Sequence, residues 1–170
     1  MAKRSLLTKV RVGVLMGGQS SEREVSLRTG SAVHRALRRR GYDAVAIDVG
    51  PGLTRDLQKH RIGVAFLALH GPGGEDGAVQ GFLQTLGIPY TGSGIQSSSV
   101  GMHKVTTKTI LAAHDIPVPP GLVVKRGQIP SDGQALRQAR LRWPVVVKPA
   151  SEGSTIGVTI VKRRAQWKNA

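Results

Sequence analysis

Over the first ninety residues, apolar runs alternate with amphipathic stretches at short intervals. Residues 10–16 (VRVGVLM) are mostly apolar and run into Gly17-Gly18, which reads as a buried strand ending in a loop. Two serines and the acids Glu22 and Glu24 follow, then apolar positions at Val25, Ala32, Val33 and Leu37. Ser before Glu is a helix-start signal, and the acids suit the positive end of the helix dipole. Arg38-Arg39-Arg40 followed by Gly41 is a helix stop, with cations in the last turn and glycine just beyond. Residues 42–49 alternate as a second strand, Pro51-Gly52 is a turn, and residues 53–60 form a short helix. Residues 62–69 (IGVAFLAL) are nearly all apolar, which predicts a central parallel strand covered on both faces. Residues 76–86 read as a helix with Gly87 as its C-cap. Strand–helix–strand–helix order with short connections predicts an α/β fold with an open parallel sheet.

The pattern changes after Ile88-Pro89-Tyr90, where TGSGIQSSS forms a Gly/Ser-rich loop. A long helical pattern covers residues 98–114, and DIPVPP ends it. The remainder predicts a strand near Leu122, a helix near Gln134, a strand over 145–148, a Gly/Ser loop, a strand over 158–161 and the start of a helix. A domain boundary falls near residues 95–104, dividing the chain into 1–100 and 104–170. There is no internal repeat.

Composition narrows the classes. With 39% apolar but only 4% aromatic residues, the core must be built from Val, Leu, Ile and Ala. The 22 glycines are too many for a helical bundle. The absence of cysteine excludes disulfides, thiolate metal sites and a cysteine nucleophile. No apolar run approaches the roughly 20 residues of a membrane helix, and MAKRSLLTKV is too short in apolar sequence for a signal peptide. The expected location is the cytoplasm, without membrane association. The net charge of +15 and a pI near 11.4 favour anionic partners and leave few carboxylates for metal ions.

Three polar, glycine-rich segments sit at the carboxyl ends of predicted strands, where open parallel sheets bind ligands. In GGQSSERE (17–24), backbone and helix-start amides favour an anion, yet Glu22 would repel phosphate and attract an ammonium group. Glu22 and Glu24 could equally be first-turn dipole partners. In LHGPGGEDG (69–77), His70 and Glu75 on one rim could bind a zwitterion or move a proton; alternatively His70 bonds turn backbone and Asp76 caps a helix. In VVVKPASEGSTIGV (145–158), Lys148 leads into a hydroxyl-rich flap suited to phosphates. There is no Walker A loop, no G-x-G-x-x-G opening a helix after the first strand, and no G-x-S-x-G elbow. His34, His60, His103 and His114 lack the i,i+4 histidine partner of a zinc helix, and His34 is expected to face solvent. The arginines at 35 and 38–40 read as a solvated helix end, since aromatics for base stacking are nearly absent.

Together the segments GGQSSEREVSLRTG, ALHGPGGEDGAVQGFLQTLGIPYTGSG, MHKVTTK and PVVVKPASEGSTIGV resemble, in order and spacing, the N-terminal part of the D-alanine–D-alanine ligases of the ATP-grasp superfamily. The resemblance implies a pre-ATP-grasp, Rossmann-like N-terminal domain followed by an incomplete α+β ATP-grasp subdomain. It also implies the family's reaction. The carboxylate of one D-alanine attacks the γ-phosphate of ATP to give an acylphosphate, and the amine of a second D-alanine displaces phosphate. The product serves bacterial peptidoglycan synthesis. Carried over by position, Glu22 matches the acid that holds the first D-alanine ammonium. Ser154 matches the flap hydroxyl that bonds that acid, and His70 lies at the first D-alanine subsite with Glu75 as its orienting partner. Lys104 and Lys148 match the phosphate-binding lysines, and Ser151, Glu152, Gly153 and Thr155 fall in the ATP-binding flap.

Two departures stand out. His103 occupies the position where the family usually has Asp, removing a negative charge beside the nucleotide. The family's Mg²⁺ ligands, second-substrate subsite and lid have no counterpart here; after Asp76 the only acids are Asp115, Asp132 and Glu152. The ending VKRRAQWKNA resembles the start of a helix that full-length members continue. The expectation is therefore a truncated ligase, inactive alone, with no metal site of its own and with a homodimer as the full-length family's assembly. Residues 145–161 are expected to leave an unpaired edge and uncovered apolar surface. The alternatives are a non-catalytic basic module that binds nucleotide or nucleic acid through its charge, and a ligase variant that takes D-lactate or D-serine.

Overall fold

A computed structural model describes residues 10–125, 128 and 134–169. The chain divides into two compact units, residues 1–102 and 103–170.

The first unit contains β1 (Val12–Gly17), α1 (Arg23–Arg39), β2 (Ala44–Val49), α2 (Leu53–Lys59), β3 (Val64–Leu67), α3 (Ala78–Thr85) and α4 (Ile95–Met102). The strands form a parallel sheet in the order β2-β1-β3. The middle strand is thus β1, buried at all six positions, and not the 62–69 segment expected there. β3 is only four residues long, and its outer side carries a single parallel bridge, Ala65 to Tyr90. Both segments are apolar enough for the centre; pairing alone decided which one takes it.

Helices cover both faces. Val12, Val14 and Met16 of β1 pack against Leu27, Val33 and Leu37 of α1. Leu15, the intervening residue, packs on the opposite face with Leu53 and Leu57 of α2 and Val79 and Leu83 of α3. That alternation is the period-two geometry of a strand buried on both sides. The buried stripe of α1 also differs from expectation. Ser26 and Gly30 are buried, whereas Val25 and Ala32 are exposed. A Cβ at Gly30 would collide with the Met16 side chain, so glycine lets α1 approach β1 closely. His34 is half-buried rather than solvent-facing, with Nε2 3.0 Å from the Ala44 carbonyl.

The second unit contains α5 (Lys104–Ala113), α6 (Gln134–Gln138), β4 (Val145–Val147), β5 (Thr159–Val161) and a 3₁₀ turn at Arg164–Asn169. The helix expected over 98–114 is two helices, interrupted at His103. The His103 Nδ1 accepts a bond from the Thr106 amide, capping α5 in the way the shorter Asp commonly does. No strand forms near Leu122: residues 121–125 have no strand partner, and Val123 is exposed. β4 and β5 pair antiparallel, with Val146 opposite Ile160, and those two side chains are 53% and 61% exposed. Asp132, one of the few late acids, lies outside the described residues.

Several helices end with the same paired bonds. After α1 and α3, Gly41 and Gly87 adopt positive φ while the next amide reaches back to Leu37 and Leu83. After α2, α5 and α6 the left-handed position is held by Arg61, Asp115 and Arg140 instead. Among the described residues no helix is long and apolar enough to cross a membrane.

Candidate functional site

The chain leaves β1 for α1 on one face of the sheet and leaves β3 for α3 on the other. The loops after these neighbouring strands therefore diverge, and a crevice opens at their carboxyl ends. In the first unit, a cleft of about 560 Å³ occupies this position, walled by residues 17–20, 49–51, 69–70 and 72–74.

Hydrogen bonds knit the loops together. Ser20 Oγ donates to the His70 carbonyl at 2.7 Å and accepts from the Glu22 amide at 3.2 Å. The fully buried Ser26 accepts from the Gly17 amide at 2.9 Å and donates to the Ala68 carbonyl at 2.7 Å. One side chain thus ties together the ends of β1 and β3 and the start of α1. Arg23 makes a bidentate pair with Asp48, at 2.7 and 2.6 Å, and also donates to the Gly18 carbonyl at 3.0 Å. The guanidinium holds the Asp48 carboxyl below the ordinary carboxylate range, and hydrogen bonding to Asp48 raises Arg23 in turn.

Glu22 is the N-cap residue of α1, yet its side chain caps nothing. Its Oε2 is buried with no hydrogen-bond partner. Gly71, at φ +70, lets the backbone come close: a Cβ there would lie 2.9 Å from that oxygen. His70 Nδ1 is 3.9 Å from Glu75 Oε1, and Nε2 is 3.4 Å from Thr29 Oγ1. The other Glu75 oxygen accepts from the Gly71 amide at 2.8 Å. The fold therefore brings together Glu22, His70 and Glu75, separated by some fifty residues in sequence. Asp76 does not cap α3 in the expected way, since the N-cap is Gly77, but it accepts from the Gly73 and Ala78 amides and shapes the same loop.

In the second unit the segment 148–158 joins β4 to β5 as a flap. Lys104 Nζ donates to the Glu152 carbonyl at 2.5 Å, and the Lys104 amide donates to the Ala150 carbonyl at 2.9 Å, so the start of α5 grips the flap. Ser154 holds φ +51, a conformation of about 1–3 kcal/mol cost for a residue other than glycine. Ser151, Gly153 and Thr155 flank it, and Lys148 directly follows β4. Glu152 Oε2 is buried without a partner, like that of Glu22. Glu22, His70 and Glu75 belong to the first unit; Lys104, Lys148 and the flap belong to the second.

Ser26, Thr29, Arg23 and Asp48 escaped the sequence reading. Asp48 left one trace, a lone acid near the end of an apolar strand, and Ser26 another, a hydroxyl inside a helical apolar stripe.

The arrangement defines a class: an α/β protein with a glycine-rich cleft bearing His70 at the sheet's switch point, acids in the loops beside it, and a separate lysine-bearing flap. Comparisons with known proteins give the family. Residues 11–53 and 52–93 match the family model described as D-ala D-ala ligase N-terminus, and residues 110–170 match D-ala D-ala ligase C-terminus. A D-alanine–D-alanine ligase of Geotalea uraniireducens is 51% identical over 160 residues, covering 94% of this chain and 50% of the relative. One from Desulforudis audaxviator is 54% identical over 153 residues, covering 90% and 49%. The crystal structure of the Bacillus anthracis D-alanine–D-alanine ligase matches with a TM-score of 0.79 at 39% identity, covering 94% of this chain and 52% of that one. The same enzyme complexed with ATP matches at 0.77 and 38%, covering 94% and 53%. The chain belongs to the D-alanine–D-alanine ligase family, and it spans about half the length of the relatives it matches.

Proposed function

We propose that this chain carries the first-substrate loops and the first phosphate-binding elements of an ATP-dependent D-alanine–D-alanine ligase. The observation that carries the reading is the Glu22 carboxylate, with one oxygen buried beside Gly71 and unpartnered. Leaving a buried acceptor unsatisfied costs about 1–3 kcal/mol, more when charged, and a ligand ammonium removes that cost. The α-ammonium of D-alanine supplies such a group. His70, with Glu75 positioning its ring, would meet the zwitterion's carboxylate.

By the family correspondence, Ser154 supplies the flap hydroxyl. Lys104 and Lys148, with Ser151, Glu152, Gly153 and Thr155, hold the triphosphate of ATP. The lysines' contribution is electrostatic: they neutralise charge that builds up as phosphoryl is transferred to the D-alanine carboxylate. Mg²⁺ is expected of a complete ligase. Among the described residues no three His, Asp or Glu side chains gather into a metal site, so these residues by themselves do not supply a Mg²⁺ ligand set. The product, D-alanyl-D-alanine, would enter peptidoglycan precursors in the bacterial cytoplasm, with the full-length ligase a homodimer. The 170 residues alone would not turn over ATP with D-alanine, which a phosphate-release assay checks.

The direct test is titration of the ¹⁵N-labelled chain with D-alanine. Amide signals of residues 18–22, 70–71 and 73–75 should move in wild type and stay still in Glu22→Gln. Absence of any shift in wild type at millimolar D-alanine would overturn the reading.

A further inference from the structure

Arg23 follows Glu22 directly at the start of α1, so a guanidinium lies one residue from the carboxylate assigned to an ammonium ligand. Left free, it would be the strongest cation at hand, because guanidinium and carboxylate pair in two parallel charge-assisted bonds. Yet Glu22 Oε2 has no partner. Arg23 is occupied elsewhere: Nη1 and Nη2 both bond the Asp48 carboxylate, and Nη1 also bonds the Gly18 carbonyl. A Cβ at Gly17 would collide with that carboxylate, so the glycine makes room for the pair across the end of β1.

We infer that Asp48 is a positioning residue that sequesters Arg23, keeping the neighbouring Glu22 carboxylate vacant for a ligand ammonium. The inference rests on the reading of Glu22 above. It adds a residue on β2, outside the three glycine-rich loops, that sets affinity without touching the ligand. Its essence is competition: with Asp48 removed, Arg23 turns to Glu22 and behaves as an internal competitor of the amino acid.

Competition has a signature that a merely structural clamp lacks. Asp48→Ala should weaken D-alanine binding on the order of tenfold, the effect of about 1.4 kcal/mol. The double variant Arg23→Gln/Asp48→Ala should recover most of that loss, because the competitor is gone. If the pair only braces the Gly17–Gly18 loop, the double variant binds as poorly as Asp48→Ala or worse, and the inference fails. A second readout needs no ligand. At pH 7.5 the ¹³C shift of the Glu22 side-chain carboxylate should move in Asp48→Ala and return in the double variant. An unmoved signal overturns the inference even where folding is intact, as judged by the amide spectrum. Should wild type fail to bind D-alanine, the functional reading falls, while the carboxylate shift still decides whether Asp48 keeps Arg23 from Glu22.

Discussion

Residues 1–102 and 103–170 draw on the same apolar residue types with different results. In the first unit β1 is buried along its length, with α1 on one face of the sheet and α2 and α3 on the other. In the second, among the described residues, only Leu136, Val145 and Val161 are buried apolar side chains. Ile110, Ile116, Val123, Val146 and Ile160 are exposed there. A two-stranded sheet is at best marginal by itself, and β4–β5 shows apolar side chains on the face that carries Val146 and Ile160. The first unit therefore closes its own core around a pocket. The second presents a flap and a grip on it, with much less buried support.

The largest effect that could break this contrast is at Leu83, fully buried beneath the sheet. Leu83→Ala should cost about 2–5 kcal/mol, read as a lower urea midpoint by far-UV circular dichroism. Tryptophan fluorescence should keep its wild-type midpoint, because Trp143 and Trp167 both lie in the second unit, edge to face with centroids 5.8 Å apart. A matching loss in both signals would mean that the two units unfold together. Ser26→Ala should come next, at about 1–3 kcal/mol in the same dichroism assay, since it strands the Gly17 amide and the Ala68 carbonyl. A near-wild-type midpoint would show that water replaces the hydroxyl.

A smaller change sharpens the comparison from the other side. Asp115 occupies the left-handed position after α5, at φ +56. Asp115→Gly should raise the fluorescence midpoint by roughly 0.5–1 kcal/mol, because glycine takes that conformation without the Cβ clash. The smallest effect belongs to the half-exposed Arg23–Asp48 pair. Asp48 has a folded-state pKa below its ordinary 3.8, so its contribution is present above that value and lost as pH falls through the lower folded one. Arg23 is raised above the ordinary guanidinium range, so its share persists through neutral pH and disappears only in strong base. Asp48→Ala should therefore lower the neutral plateau by the pair's small contribution and converge with wild type below about pH 4, which flattens the acid slope. A wild-type slope in the variant would rule the pair out as its source.

Glycine and the acid–histidine loops were readable from residue types. Gly41 and Gly87 end helices as their positions promise, and Glu22, His70 and Glu75 meet at one rim. The helix over 98–114 was misread because a histidine cap gives no pattern in hydropathy; only the bond from the Thr106 amide to His103 reveals it. The strand near Leu122 was misread because β-branched residues mark fitness for a sheet, and a strand also needs a partner. The segment 62–69 does form a parallel strand, paired with β1 on one side and bridged to Tyr90 on the other, but only β1 has a full strand on each side.

The amino-acid order by itself determined the alternation of strands and helices and the chemistry of the loops, because both follow from side-chain period and local dihedral preference. The tertiary structure decided the rest. It put β1 in the middle, set Ser26 between two strand ends, and turned Arg23 toward Asp48 and away from its neighbour. Those outcomes depend on contacts between residues far apart in sequence, and only packing three strands and their helices together selects which contacts are made.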